Sequence, residues 1–351
     1  MRKFLLSSTS LIAAATIASY ASADVSVSGS FDWKYKNTAS NVAASDGTSM
    51  AQDHEVVISF SNKTDTGLTV SGRYDMDADA GSVDESSISI SGGFGSITMG
   101  ANDGVSDAFG VHEQDLINDE SHLSRFSPTA FADGAATAAA AATTTGIMTN
   151  AGEVSVSGDA NKIAYITPAM GGFKAGYSIA DAGVNTASND TTEVGLSYSM
   201  PVDGGSILFE YNQVKRDATD TIEEIQATNY GVTATMGALS LIASSGQFEE
   251  ATAGSTALTE DVEATGFGLK YDMGGGMTVA VSVMESEDSA DVLASTGAKE
   301  KYSSNIGEVS YTIAPGLKAN LTYNDFDYKA GGSGLAAEAG SITQLTINAA
   351  F

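Results

Sequence analysis

From Val25 to the final Phe351, apolar side chains return at every second position, and none of the runs is long and unbroken enough for a membrane helix. In the first segment Val25, Val27, Phe31, Trp33 and Tyr35 share one parity, and Ser26, Ser28, Ser30, Asp32, Lys34 and Lys36 share the other. Successive side chains of a strand point to opposite faces, so this spacing predicts strands with one apolar and one polar face. The pattern recurs at Val56/Ile58/Phe60, Leu68/Val70/Tyr74/Met76, Ile88/Ile90 and Ile97/Met99. Further on it returns at Phe173/Tyr177/Ile179, Ile207/Phe209/Tyr211, Tyr230/Val232/Ala234, Phe267/Leu269/Tyr271, Met277/Val279/Val281/Val283, Val309/Tyr311/Ile313, Leu317/Leu321/Tyr323 and Leu345/Ile347/Ala349.

The connections alternate as well. Short turn signals carrying Gly, Pro or Asp sit at 63–66, 92–95, 168–172, 201–205, 236–238, 273–276 and 314–316. Longer polar stretches lie between them, at 37–53, 77–84, 101–160, 181–191, 217–222, 249–262, 285–301 and 328–340. These breaks predict about sixteen strands, and roughly 9–11 tilted residues suffice for one strand to cross an outer membrane. The 38 glycines against 4 prolines read as material for tight turns.

Residues 1–23 read as an export signal. Arg2 and Lys3 precede a mostly small and apolar segment, and Ala21-Ser22-Ala23 is the small-residue pattern cut by signal peptidase. Cleavage between Ala23 and Asp24 predicts a barrel domain over 24–351, after Sec-type export. It also takes the formal net charge from −28 to −30, by removing Arg2 and Lys3. That charge has the wrong sign for a nucleic-acid partner. The absence of cysteine excludes thiol catalysis, disulfides and Cys-ligated metal centres. The three histidines, His54, His112 and His122, form no H-E-x-x-H, and neither a nucleophile elbow nor a Walker motif is present. No enzyme activity is expected. Asp75-x-Asp77-x-Asp79 lacks the Gly and Glu of an EF-hand. No cofactor is expected, beyond Ca²⁺ held by acidic loops.

An exported chain with no membrane helix is either soluble or a closed barrel, because only closed strands satisfy backbone polar groups in lipid. A soluble β-sandwich or β-solenoid also alternates, but its connections need not alternate short and long, as those of a transmembrane barrel do. The fold class expected is therefore all-β: a transmembrane antiparallel barrel of about sixteen strands. The terminal strand ends in an aromatic residue, Phe351, after alternate apolar positions. Such an ending resembles the signal that the outer-membrane barrel-assembly machinery reads, although Ala349 stands where a second aromatic is usual.

Three stretches carry a closer resemblance: Asp24-Val25-Ser26-Val27-Ser28-Gly29, Lys63-Thr64-Asp65-Thr66-Gly67-Leu68 and Phe94-Gly95-Ser96-Ile97-Thr98-Met99-Gly100. With them, 24–351 resembles a Gram-negative general porin of the alphaproteobacterial type. The resemblance implies a homotrimer in the outer membrane, contacts with lipid and lipopolysaccharide, and a third loop that folds inward to narrow a water-filled pore for small hydrophilic solutes and ions. It makes 101–160 that loop. Asp107, Glu113, Asp115, Asp119 and Glu120 would be its acids at the constriction.

Parity alone puts Lys34, Lys36, Arg73, Asp75, Lys162, Lys174, Lys270 and Lys318 on the polar face, with Lys215 on the apolar parity near a strand end. A charge facing mid-bilayer lipid costs about 2–4 kcal/mol, so this segregation argues for a wet interior. Lys34, Lys36 and Arg73 are the candidates for a basic strip opposite the loop, with Lys174 and Lys318 as further lining residues. The strongly negative charge predicts a weak preference for cations. The competing reading is a barrel plugged by 101–160, with a structural or adhesive role at the surface.

Overall fold

The computed structural model describes residues 24–43, 45–77, 81–118, 147–152, 157–181, 190–217, 224–251, 258–293, 297–331 and 336–351. The proposed signal segment, Ala23 included, lies outside these, as do Asp119 and Glu120. The strands are β1 (Asp24–Ser40), β2 (Gly47–Lys63), β3 (Thr69–Asp77), β4 (Ser82–Gly92), β5 (Gly95–Ala101), β6 (Asn161–Ile166), β7 (Phe173–Ala180), β8 (Thr191–Val202), β9 (Gly205–Arg216), β10 (Glu224–Met236), β11 (Leu239–Ala251), β12 (Leu258–Gly274), β13 (Met277–Leu293), β14 (Ala298–Ala314), β15 (Leu317–Lys329) and β16 (Glu338–Ala350). Each pairs antiparallel with its sequence neighbours, and β1 pairs with β16 to close the barrel. Closure leaves no free sheet edge, which is the condition for strands in lipid.

All seven short turns predicted from sequence join strand pairs at one end. Two show why glycine is needed there: Gly204 and Gly316 stand at φ 78° and 76°, in the left-handed region that side chains avoid. Aromatics crowd the same end. Tyr165 donates to the Phe94 carbonyl at 2.7 Å, and Phe173 stacks on Tyr198 with ring centroids 4.3 Å apart. Such a belt suits a bilayer interface. The chain closes here too, where Phe351 and Gly29 exchange backbone hydrogen bonds at 3.0 Å and the exposed Phe351 ring lies over Gly29.

On β10–β16 the two faces exchange chemistry part-way along. Near the short turns the outward positions are apolar: Val232, Leu241, Phe267, Val281, Val309 and Leu321. Toward the long-loop end the same parity carries Gln226, Glu249, Glu263, Glu285, Lys301 and Asp327. Inward positions change in the opposite sense, to the buried Ile225, Phe248, Val262, Tyr302, Phe326 and Ile342. Parity is continuous and only the surroundings change. β12, β13 and β14 have 17 residues each. At a tilt of about 45° such a strand rises roughly 40 Å, well beyond an apolar band about 25 Å tall. The upper halves therefore stand clear of the hydrocarbon, polar side out and apolar side in.

This corrects the extent of several predicted loops. Residues 285–293 and 298–301 belong to β13 and β14, 258–262 to β12, and 47–53 to β2. A search for outward apolar residues ends where the bilayer ends, so it truncates strands that continue into water. Asp75 and Asp77 lie on β3, with Asp79 outside the described residues.

Candidate functional site

The described residues that follow β5, up to Asn118, run inside the barrel. A short helix, α1 (Val105–Ala108), packs against β6–β9, and a 3-10 turn at Glu113–Leu116 packs against β11–β13. The described returning piece, 147–152, lies against the same wall: Ser286 donates to the Met148 carbonyl at 2.6 Å, and Asn229 to the Ala151 carbonyl at 3.2 Å. The barrel interior is thereby narrowed from the β6–β14 side, leaving β1–β4 and β16 opposite.

The wall is cut to receive this loop. Gly176 and Gly195, directly paired on β7 and β8, both lie under Phe109. Gly231 lies under Val111, Gly246 under Met148, and Gly266 and Gly268 under Glu113 and Leu116. A Cβ at Gly195 would sit 2.3 Å from the Phe109 ring, and one at Gly266 would sit 2.2 Å from the Glu113 carboxylate. These inward glycines form a track along which the loop backbone approaches the sheet. Val105, Phe109, Val111 and Leu116 are buried there. Fully burying one such side chain contributes about 1.5–3 kcal/mol.

Polar anchors fix the register. Glu193 of β8, fully buried, accepts from the Ser106 N–H at 2.8 Å and the Ser106 hydroxyl at 3.0 Å, satisfying first-turn donors of α1. Gly104 leaves the room for it, since a Cβ there would meet the same carboxylate at 1.8 Å. Asn229 of β10 accepts from the Val111 N–H at 3.0 Å and donates to the Val111 carbonyl at 2.9 Å. Glu308 of β14 accepts from the Asn118 N–H at 3.0 Å.

The candidate charges separate into groups. Asp107 on α1, Asp115 on the 3-10 turn and the inward Lys174 of β7 are exposed, and Lys36 and Lys318 are half-buried at inward positions. Asp115 pairs with His112 at 3.0 Å. Glu210 of β9 lies within electrostatic reach of both Asp115 and Lys174. Glu113 corrects its assignment. Its carboxylate is fully buried against the wall, accepting from the Ala151 N–H at 3.0 Å and the Gln114 amide at 3.1 Å, so it tethers the loop rather than lining water. Burial pushes the Glu113 carboxyl above the usual range, while His112 and these hydrogen bonds pull it down.

The basic strip is corrected too. Arg73 reaches Asp75, Glu55 at 3.4 Å and Glu85 at 3.7 Å. Lys34, itself buried, lies 3.6 Å from Asp53 and 4.0 Å from Asp32. Five carboxylates hold two cations, so this stretch of wall carries no excess of positive charge. Asp75 is buried within it. Lys215 does stand near its strand end, 2.9 Å from Asp217.

A family model described as Gram-negative porin matches residues 8–331. The chain belongs to that family. It is a porin, an outer-membrane channel for passive diffusion of solutes, and its family and fold point to a channel rather than an enzyme. Solved structures agree on the fold. The anion-selective porin from Comamonas acidovorans is 15% identical, with a TM-score of 0.66 over 94% of this chain and 100% of that one. OmpT of Vibrio cholerae, in a trimer form, is 12% identical, with a TM-score of 0.64 over 94% and 99%. Salmonella typhi OmpF in complex with daunomycin is 12% identical, with a TM-score of 0.64 over 93% and 97%. Comparison with curated proteins returns no match.

In this porin Glu193, Asn229 and Glu308, and the glycine track, hold the loop to the wall and lie beyond the residues the sequence singled out. A usable signal exists for the glycines: each stands at an inward parity within a strand, where a turn is not required.

Proposed function

We propose that the channel favours small cations over anions and works as a homotrimer. The observation that carries the preference is the state of its cations: Arg73 and Lys34 are held among Glu55, Asp75, Glu85, Asp32 and Asp53. Asp107 and Asp115 stand exposed on the loop opposite, with Lys174 exposed on β7, while the exposed Arg73 is matched by the acids around it. At about 8 Å screening length, charges at the narrowest ring act on a passing ion while loop-tip charges largely do not. The Comamonas porin, described as anion-selective, shares the fold but sets no expectation for sign at this low identity. The trimer form of the Vibrio cholerae protein supports the trimer.

Further partners follow from the surface. The outward collar of Glu263, Glu285, Glu287, Lys301, Asp327 and Lys329 stands just above the apolar band, where lipopolysaccharide headgroups would meet it. The terminal Phe351, exposed on the outside, is the residue offered to the assembly machinery after Sec-type export of the precursor.

Reversal potentials across a potassium chloride gradient test the preference. Cation preference that weakens in the Asp107→Asn/Asp115→Asn double variant is expected. Anion preference in the unaltered protein would overturn the reading.

A further inference from the structure

Near the long-loop end of the barrel, Glu260 of β12, Asp288 of β13 and Glu300 of β14 all point inward. Their register makes them neighbours: Asp288 pairs directly with Glu300 and with Val262, two positions from Glu260. One oxygen from each lies within 4.8 Å of the others. Asp288 and Glu300 are essentially solvent-free, at 0% and 1% exposure. Like charges directly opposite on a sheet destabilise it, and an uncompensated buried carboxylate is costlier still. Yet among the described residues none of the three forms an ion pair.

Two of the three carboxylates keep a buried oxygen without a hydrogen-bond partner. Asp288 spends Oδ1 on the N–H groups of Asp261 at 3.0 Å and Ala290 at 2.7 Å, while its Oδ2 is buried with no hydrogen-bond partner. Glu260 Oε2 is likewise buried and unpartnered. Glu300 Oε1 is oriented by the buried hydroxyl of Tyr328. The ladder breaks immediately after Asp288, where the register shifts before Val292, so a local irregularity aims this carboxylate. Gly331 packs against the backbone of Asp291 and Glu300, where a Cβ would sit 2.7 Å from the Glu300 nitrogen.

We propose that Glu260, Asp288 and Glu300 form a Ca²⁺ site that ties β12, β13 and β14 together at the mouth of the barrel. The donor set is all oxygen and all carboxylate, which selects a hard cation over zinc or copper. Oxygens sharing one Ca²⁺ at about 2.4 Å lie no more than about 4.8 Å apart, and the three found here meet that limit. Mg²⁺ retains several waters and suits a dry, three-carboxylate pocket less well. The site stands above the lipid-facing band and does not depend on what the channel conducts.

The test uses the full folded protein, purified in detergent and stripped with EGTA. Calcium titration is followed by calorimetry, and barrel melting by circular dichroism with and without calcium. About one tight Ca²⁺ per chain is expected, with a melting midpoint that rises with calcium as binding to the folded state requires. Asp288→Asn should lose both the uptake and the calcium-dependent rise. It should also melt no lower than the stripped parent, because it removes repulsion. Glu260→Gln, nearer the rim, gives a second reading should Asp288→Asn fail to fold. Asp103→Asn serves as a control at the separate carboxylate group Glu85, Asp103 and Asp159. No uptake by the parent, or uptake lost in Asp103→Asn and retained in Asp288→Asn or Glu260→Gln, would overturn the assignment.

Discussion

Replacing Gly195 by valine tests the glycine track where it is tightest. The added Cβ would meet Phe109 Cδ2 at 2.3 Å, Cγ at 2.5 Å and Cβ at 2.8 Å, so the whole ring must leave rather than tilt. Displacing Phe109 forfeits about 1.5–3 kcal/mol of burial. Strain from overpacking adds about 1–3 kcal/mol. Gly195→Val should therefore weaken loop docking by roughly 2.5–6 kcal/mol. Phe109→Ala removes the same ring and should cost about 3–5 kcal/mol. Once the ring is gone, valine has space to occupy, so the double variant should fall well short of the sum. A coupling of about 2–3 kcal/mol is expected. Melting of the detergent-solubilised barrel reads the stability, and single-channel conductance reads the loop, whose altered position should change step size or noise in Gly195→Val. Additive effects, or a Gly195→Val channel identical to the parent, would refute the idea that glycine is there for Phe109.

Other outcomes follow from single contacts. Glu113 has a raised folded-state pKa, so the folded protein holds that proton more tightly than the unfolded chain does. Its share of stability is thus present below the ordinary carboxylate value and lost as pH rises through the folded value. Melting midpoints from about pH 5 to pH 8 should therefore fall less in Glu113→Gln than in the parent; an equal fall would contradict the assignment. On the outer face the Phe60 ring covers Gly72, with which it pairs, and a Cβ there would meet ring atoms at 2.1 Å. Gly72→Val should lower the melting midpoint by an overpacking cost of about 1–3 kcal/mol, and Phe60→Ala in the same chain should recover part of it.

Much of this architecture was legible because a membrane barrel writes its environment on alternate residues. Val25/Val27 on β1 and Val279/Val281/Val283 on β13 declare lipid on one side, and turns such as Ala314-Pro315-Gly316 mark where the chain reverses. The same logic explains what was hidden. Above the bilayer, Phe248, Val262 and Tyr302 keep the inward parity while Glu249, Glu263 and Lys301 take the outward one, so a polar stretch there reads as loop although it is strand. Inward glycines such as Gly195 and Gly266 look like turn material, because their partner, the 101–118 segment, is distant in sequence. Parity gives a charge its face but not its partner. Parity puts Arg73 and Lys34 inside; only the three-dimensional register shows them held by acids from four strands, β1 to β4. Glu113, an acid in an acidic loop, gives no sequence sign that it turns to the wall.

Conductance in planar bilayers tests the central claim most directly, by comparing the purified protein with a chain lacking 103–145. A parent that opens in discrete steps, and a shortened chain whose steps are larger, is what an inward-folded loop on one wall of an open barrel requires. Absence of steps in the parent, or steps of unchanged size after the deletion, would contradict it.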